Sequence, residues 1–122
     1  MSDVSTTIRC VNADESIAFL TKAFGLEEGG VFRDDRGKVM HAELWFGSSC
    51  VMLGHEGGEE SPAFVYAVVE DVDAHHDRAA GAGAEIVTGV TDRDYGSREY
   101  AARDIDGNLW YFGTYRPQKP KK

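Results

Sequence analysis

His41 and Glu43 are a histidine and a glutamate two residues apart in the stretch HAELWFGSSCVMLG (41–54). This stretch predicts two short strands joined by a tight turn, and residues two apart on a strand share one face. An imidazole beside a carboxylate suits general acid–base catalysis or supplies half of a metal site. The alternative is a hydrogen-bonded polar pair at a wet pocket, with Arg9 as its counter-charge. No third metal ligand is evident in the sequence.

Other candidate motifs indicate structure rather than chemistry. The stretch DIDGN (104–108) lacks the acidic spacing and terminal glutamate of a calcium loop, and it predicts a hairpin turn. His75 and His76 are adjacent on a predicted helix, so they point about 100° apart and cannot chelate together. The apolar stripe that begins at Val72 predicts that His76 is partly buried and His75 exposed.

Composition predicts one globular domain over residues 1–122, since 42% of the residues are hydrophobic and none of the apolar runs could span a membrane. No secretory signal is visible, so we expect a cytoplasmic protein. A net charge of −8 repels nucleic acids and anionic lipids, and neither is an expected partner. Cys10 and Cys50 are expected to be reduced and buried. The basic tail RPQKPKK predicts a frayed terminus or a weak electrostatic anchor.

The order of predicted elements is strand, helix and three strands, and it occurs twice. The two modules cover approximately residues 5–54 and 62–114, joined by the glycine- and glutamate-rich loop GHEGGEESP. Asn12 and Asp71 are the predicted N-caps of the two helices. One module cannot cover both faces of its sheet, so the pattern predicts an α+β fold in which two βαβββ modules form an open cleft.

Two stretches resemble the vicinal oxygen chelate superfamily, which includes glyoxalase I, bleomycin-resistance proteins and extradiol dioxygenases. They are DESIAFLTKAFGLEE (14–28) and YGSREYAARDIDGNLWYFGTY (95–115). Metal enzymes of that superfamily hold their ion at four equivalent strand positions. By the resemblance these fall on Ser5, Met52, Phe64 and Tyr111, and 59 residues separate the members of each pair, Ser5 from Phe64 and Met52 from Tyr111.

None of these four residues is a usual ligand, because divalent metals in such sites require imidazole or carboxylate. The resemblance therefore implies no metal and no cofactor, as in metal-free bleomycin-resistance-like members. With Met52 toward the cleft, alternation along the strands places further side chains beside it. They are Thr7, Arg9, His41, Glu43, Trp45 and Tyr66. Arg9 also matches an arginine of glyoxalase I that helps bind a cofactor carboxylate, but a role in structuring the pocket remains equally open.

Aromatic walls with a few polar groups are typical of small-molecule sites. We therefore expect metal-independent binding of a small aromatic or cationic metabolite or drug, as in resistance by sequestration. The resemblance also implies a homodimer, and whether one cleft uses modules of one chain or of two stays open. The alternative is an enzyme of lyase, isomerase or oxygenase type that uses His41 and Glu43 as acid–base groups or ligands. A third hypothesis is an accessory module whose dimer surface matters more than its pocket.

Overall fold

The computed structural model describes residues 4–120, which form two modules with the same order of elements. The first module contains β1 (Thr6–Ile8), α1 (Ala13–Phe19), β2 (Glu27–Arg33), β3 (Val39–Phe46) and β4 (Ser49–Leu53). The second contains β5 (Phe64–Val68), α2 (Val72–Gly81), β6 (Glu85–Asp92), β7 (Arg98–Arg103) and β8 (Leu109–Gly113). The predicted α+β fold with two βαβββ modules is confirmed. Neither helix in this part of the chain is long and apolar enough to cross a membrane.

Each module forms one four-stranded mixed sheet. Sheet 1 has the order β1-β4-β3-β2 and sheet 2 the order β5-β8-β7-β6, with only the first pair of each parallel. Thr7 pairs with Met52 in sheet 1, and Tyr66 pairs with Tyr111 in sheet 2. These pairs are equivalent in the two modules, so the strand register repeats the spacing seen in the sequence.

The first helix begins as predicted, because the Asn12 side chain accepts a hydrogen bond from the Glu15 amide at 3.0 Å. It is not regular throughout: α1 ends at Phe19, and a π-helical turn continues it over Leu20–Phe24. The turn ends at Gly25, whose φ of 82° lies in the left-handed region that glycine adopts without strain. Phe24 is thereby carried into the core, where it is fully buried.

The second helix corrects one prediction, because His75 is not exposed. Its Nδ1 accepts a hydrogen bond from the Tyr100 hydroxyl at 2.6 Å, and its Nε2 donates to the Phe24 carbonyl at 2.9 Å. Burial lowers the pKa of His75, and the nearby Arg78 guanidinium lowers it further although the Phe24 carbonyl opposes this. The apolar stripe marks only the side of α2 that packs on sheet 2. The helix also packs against the π-helical turn of the first module, and that contact covers His75.

The two modules share one hydrophobic core. The Phe24 ring lies 4.9 Å from Phe112 and 5.3 Å from Trp110, and Phe46 of sheet 1 also packs near Phe112 at 6.3 Å. Each sheet therefore packs against the other module through the face that carries its helix. The opposite face of each sheet, called its open face here, carries no helix and is left largely open by residues 4–120. This is visible in Phe64, which is 69% exposed.

The predicted hairpin turn DIDGN does more than reverse the chain, because it joins the modules. The Asn108 side chain accepts hydrogen bonds from the amides of Arg9 and Ala63 and donates to the Arg9 carbonyl. Asp106 accepts from the Val11 amide at 2.9 Å and from the Ser16 hydroxyl at 2.5 Å. This set of contacts, called the junction below, fixes the start of the first module to the last hairpin of the second.

The cysteines are free thiols. Cys10 is fully buried, and burial raises its pKa to about 11. Cys50 is only half-buried, because it lies on the open face of sheet 1 rather than in the core. Burial, with the nearby Glu43 carboxylate, raises its pKa as well.

Candidate functional site

The open face of sheet 2 carries an aromatic cavity of about 540 Å³. Its walls are the side chains of Phe64, Tyr66, Arg93, Tyr95, Glu99, Tyr111, Tyr115 and Pro117. Five of these eight residues are aromatic, and one ion pair supplies the charges. We call this the aromatic cavity.

One wall is a stack of two rings on neighbouring strands. Phe64 and Tyr111 have ring centroids 4.9 Å apart and planes 19° from parallel. Phe64 is largely exposed and Tyr111 is half-buried, so the stack offers a flat apolar surface to the solvent. Offset stacking on such rings contributes about 0.5–1.5 kcal/mol per aromatic pair beyond burial of the area itself.

Another part of the lining comes from the residues after β8. The Tyr115 amide donates to the Ser97 hydroxyl at 3.1 Å, and its carbonyl accepts from the Tyr66 hydroxyl at 2.6 Å. Burial raises the pKa of Tyr66, so its hydroxyl remains protonated and able to donate. The Tyr95 ring meets Tyr115 edge-on at 5.8 Å. Pro117, in the tail that was expected to be frayed, also lines the cavity, and residues 121–122 of that tail lie outside the described residues.

Glu99 forms the floor of the aromatic cavity and is already paired. Its carboxylate accepts hydrogen bonds from the Tyr95 hydroxyl at 2.5 Å and from Arg93 Nε at 3.3 Å, and its side chain is 5% exposed. Burial alone would raise the pKa of Glu99, but hydrogen bonds from Tyr95, Ser97 and Arg93 outweigh burial and lower it. Glu99 is therefore ionised at neutral pH, with its charge balanced by Arg93.

Gly113 leaves space for this floor. A β-carbon at Gly113 would lie 2.6 Å from Glu99 Cγ and 2.8 Å from the Tyr66 hydroxyl oxygen. Both distances are shorter than side chains tolerate, so a larger residue would displace Glu99 or Tyr66. Close packing of Glu99 and Tyr66 thus explains why a glycine ends the second hairpin, and the sequence alone did not indicate this contact.

The open face of sheet 1 is more polar. His41 Nε2 lies 3.1 Å from Glu43 Oε2, and the Phe32 ring packs on His41 at 5.5 Å. Both side chains of the pair are a little over one third exposed. The predicted pair therefore exists, on a face accessible to solvent. Met52 follows on the neighbouring strand and pairs with Glu43 in the register.

Trp45 belongs to the same face but to a separate cavity of about 430 Å³, which Ser5 and Cys50 also line. The indole lies on Gly29, where a β-carbon would come within 2.9 Å of its Nε1. Within one chain, the predicted ligand-binding residues thus fall into two groups on two separate faces. Phe64, Tyr66 and Tyr111 line the aromatic cavity. Trp45 and Met52 lie on sheet 1, and Ser5 lies just before its first strand.

Arg9 and Thr7 lie apart from both cavities. The backbone of Arg9 is bound at the junction, and a β-carbon at Gly58 in the connecting loop would lie 3.3 Å from Arg9 Nε. The guanidinium therefore lies beneath the loop that joins the modules. Thr7 is exposed on the edge strand of sheet 1.

A model of the Glyoxalase/Bleomycin resistance protein/Dioxygenase superfamily matches residues 4–112. The chain belongs to this superfamily. An uncharacterised protein of Mycobacterium bovis is 33% identical over 115 residues, which cover 84% of this chain and 76% of that protein.

Solved structures show the same superfamily fold. TioX from Micromonospora sp. ML1 has a TM-score of 0.78 and 28% identity, with 98% of this chain and all of that chain covered. A superfamily member from Sphaerobacter thermophilus has a TM-score of 0.75 and 17% identity, with 93% and 97% covered. The likeness to the second protein shows the fold alone.

The four residues that the resemblance places at the metal positions of the superfamily do not have the donor chemistry of usual metal ligands. Ser5, Met52, Phe64 and Tyr111 present a hydroxyl, a thioether, a phenyl ring and a phenol. Across residues 4–120, no three His, Cys, Asp or Glu side chains lie together in a way that could hold a metal ion. We therefore derive no chemistry through a metal at these positions.

Proposed function

We propose that this superfamily member binds a small planar aromatic molecule without a metal ion, as metal-free bleomycin-resistance-like proteins would. The observation that carries the proposal is the aromatic cavity, with the exposed Phe64–Tyr111 stack as one wall. A cavity of about 540 Å³ lies within the range of small-molecule sites. Binding alone would suffice for sequestration of a drug or metabolite in the cytoplasm.

We further propose that a second copy of the chain completes the site. Exposed aromatic rings on both open faces support this, since Trp45, Phe32 and Phe64 are 39%, 53% and 69% exposed. Exposed apolar surface of this kind marks interaction sites. If sheet 1 of one copy faces sheet 2 of the other, a two-fold axis generates two equivalent clefts. Each cleft would join Trp45 and the His41–Glu43 pair of one copy to the aromatic cavity of its partner.

Binding is tested with Tyr111→Ala and a panel of planar aromatic compounds, using calorimetric titration. The substitution removes one ring of the stack, and we expect affinity to fall about tenfold, the effect of losing about 1.4 kcal/mol. Tyr111→Phe keeps the ring and should bind nearly as the wild type does. Ile105→Ala is the control, because Ile105 is an exposed apolar residue on the turn outside the cavity. Equal binding by Tyr111→Ala and the wild type would refute the proposed site.

The shared cleft is tested by mixing two variants. Trp45→Ala changes sheet 1 and Tyr111→Ala changes sheet 2, so each homodimer would have two impaired clefts. After exchange of subunits, each mixed dimer contains one cleft with neither substitution, and we expect about a quarter of the wild-type sites to return, since random exchange makes half of the dimers mixed. No recovery in a mixture that sedimentation shows to be dimeric would mean that a cleft does not combine the two faces.

A second candidate function is catalysis by the His41–Glu43 pair, and the observation that favours it is the 3.1 Å contact between them on an open face. Acid–base catalysis would require the imidazole, so His41→Ala would abolish turnover of a bound compound while leaving its affinity largely intact. Turnover that His41→Ala abolishes and Tyr111→Ala leaves intact would favour catalysis by this pair, whereas equal turnover by His41→Ala and the wild type would refute it.

A further inference from the structure

Among residues 4–120, Arg93 is the one cation that lines the aromatic cavity. Its Nε donates to Glu99, but across residues 4–120 its two terminal nitrogens have no side-chain or backbone acceptor. The side chain is 36% exposed, so those nitrogens remain in contact with solvent. A guanidinium with unused donors beside aromatic rings can bind an oxyanion through two parallel hydrogen bonds.

Glu99 is poorly placed to attract a cationic ligand in competition with Arg93. Its two oxygens are already bound by Tyr95 and Arg93, and its side chain is almost entirely buried. Asp92, the last residue of β6, is paired with Arg98 at 2.9 Å. Among the described residues that line the cavity, Glu99 is the one carboxylate, so an ammonium group there would meet the Arg93 guanidinium and no unpaired carboxylate.

We propose that the cavity selects planar aromatic ligands that carry an anionic group, such as aromatic carboxylates, and that Arg93 binds that group. The inference rests on the proposed function and narrows its ligand class from aromatic or cationic to aromatic and anionic. The ring would stack on Phe64 and Tyr111, and the oxyanion would bind the terminal nitrogens of Arg93.

The net charge of −8 does not decide this selectivity. At physiological ionic strength, charges on the protein surface are screened over about 8 Å, so distant carboxylates contribute little inside the cavity. A hydrogen-bonded contact with Arg93 acts at shorter range and in partly desolvated surroundings. The contact with Arg93 therefore determines the preference for an anionic ligand, although the overall negative charge of the protein acts against it.

The test uses three probes that share one ring system and differ in charge, namely naphthoate, naphthamide and protonated naphthylmethylamine. Calorimetric titration of the wild type at physiological salt should show naphthoate binding about tenfold tighter than the other two, as one charged hydrogen bond would give. Equal affinities, or preference for the amine, would overturn the inference and leave the proposed function standing. Absence of binding by all three would overturn both.

The variant Arg93→Gln tests whether this residue causes the selectivity. We expect it to reduce the preference for naphthoate over naphthamide to less than about twofold while naphthamide still binds. Arg103→Gln is the matched control with the same change in net charge, because Arg103 lies outside the cavity. Glu99→Gln removes the carboxylate that shares Arg93 and should preserve or increase the preference. If Arg93→Gln fails to fold, Glu99→Gln decides, because a loss of naphthoate preference there would overturn the inference.

Discussion

Replacing Asn108 with alanine should weaken the contact between the two modules and so lower the free energy of unfolding. Asn108 is fully buried, and its Oδ1 accepts from the amides of Arg9 at 3.1 Å and Ala63 at 2.8 Å. Its Nδ2 donates to the Arg9 carbonyl at 2.9 Å. Alanine provides neither group, so three backbone groups at the junction lose their side-chain partner. A buried polar group left without a partner costs about 1–3 kcal/mol.

The three losses are not independent, because the backbone can relax and water can enter the space left by the side chain. We expect Asn108→Ala to lower the free energy of unfolding by about 3–5 kcal/mol. This loss is a large part of the roughly 5–15 kcal/mol that is typical of a folded domain. Urea unfolding followed by circular dichroism and by the fluorescence of buried Trp110 measures the change.

Asn12→Ala is the matched control, since it deletes the same side chain from a site with one exposed hydrogen bond to Glu15. Loss of this N-cap should cost about 1 kcal/mol. The reasoning fails if Asn108→Ala costs no more than Asn12→Ala, because the junction would then not hold the modules together. Separate unfolding transitions for the two probes in Asn108→Ala would instead show that the modules have become independent.

Three further predictions concern the core and the helices. His75 has a pKa below its ordinary value of 6.5 because it is buried, so the unfolded chain binds more protons. The free energy of unfolding should therefore reach its full value above pH 6.5 and fall as the pH drops below 6.5. Melting temperatures measured across this pH range should fall more steeply for the wild type than for His75→Gln, and an equal fall in both would contradict the prediction. Phe112→Ala should lower the free energy of unfolding by about 3–5 kcal/mol in urea, whereas a loss below about 1 kcal/mol would mean that the shared core is not as described. Gly25→Ala should cost about 1 kcal/mol or more in the same assay because of the positive φ, and no loss would argue against that conformation.

The faces of the strands were predictable from sequence, because alternation along a strand is a local property. Val51 and Leu53 are buried under the helix-bearing face of sheet 1, whereas Met52 between them is half-buried on the open face. The residues from Trp110 to Phe112 repeat this pattern in sheet 2. Along these two strands the alternation agrees with the structure, whereas Arg9, which was expected beside Met52, lies beneath the connecting loop. The roles of the open-face residues in binding remain predictions.

The contacts between modules were not predictable, because they join residues far apart in the chain. His75 looked exposed from the stripe of its own helix, and nothing local indicated that the Phe24 carbonyl would cover it. The residues of DIDGN are typical of a hairpin turn, and this local pattern gave no indication that Asp106 and Asn108 also bind the first module at the junction. Arg93 and Pro117 were missed as cavity residues because each follows the end of a strand, where alternation no longer assigns a face. Only the arrangement of the whole second sheet brings them together.

Ligand binding and assembly are coupled if each cleft takes one face from each of two chains. A ligand that contacts the aromatic cavity of one copy and the Trp45 face of another binds only the dimer, so it raises the apparent dimer affinity by mass action. The same linkage lowers the apparent ligand affinity when the protein is diluted below its dimer dissociation constant. A ligand held by the aromatic cavity alone would show no such dependence. The concentration dependence of binding therefore distinguishes a site on one sheet from a site between two copies, whichever compound is used.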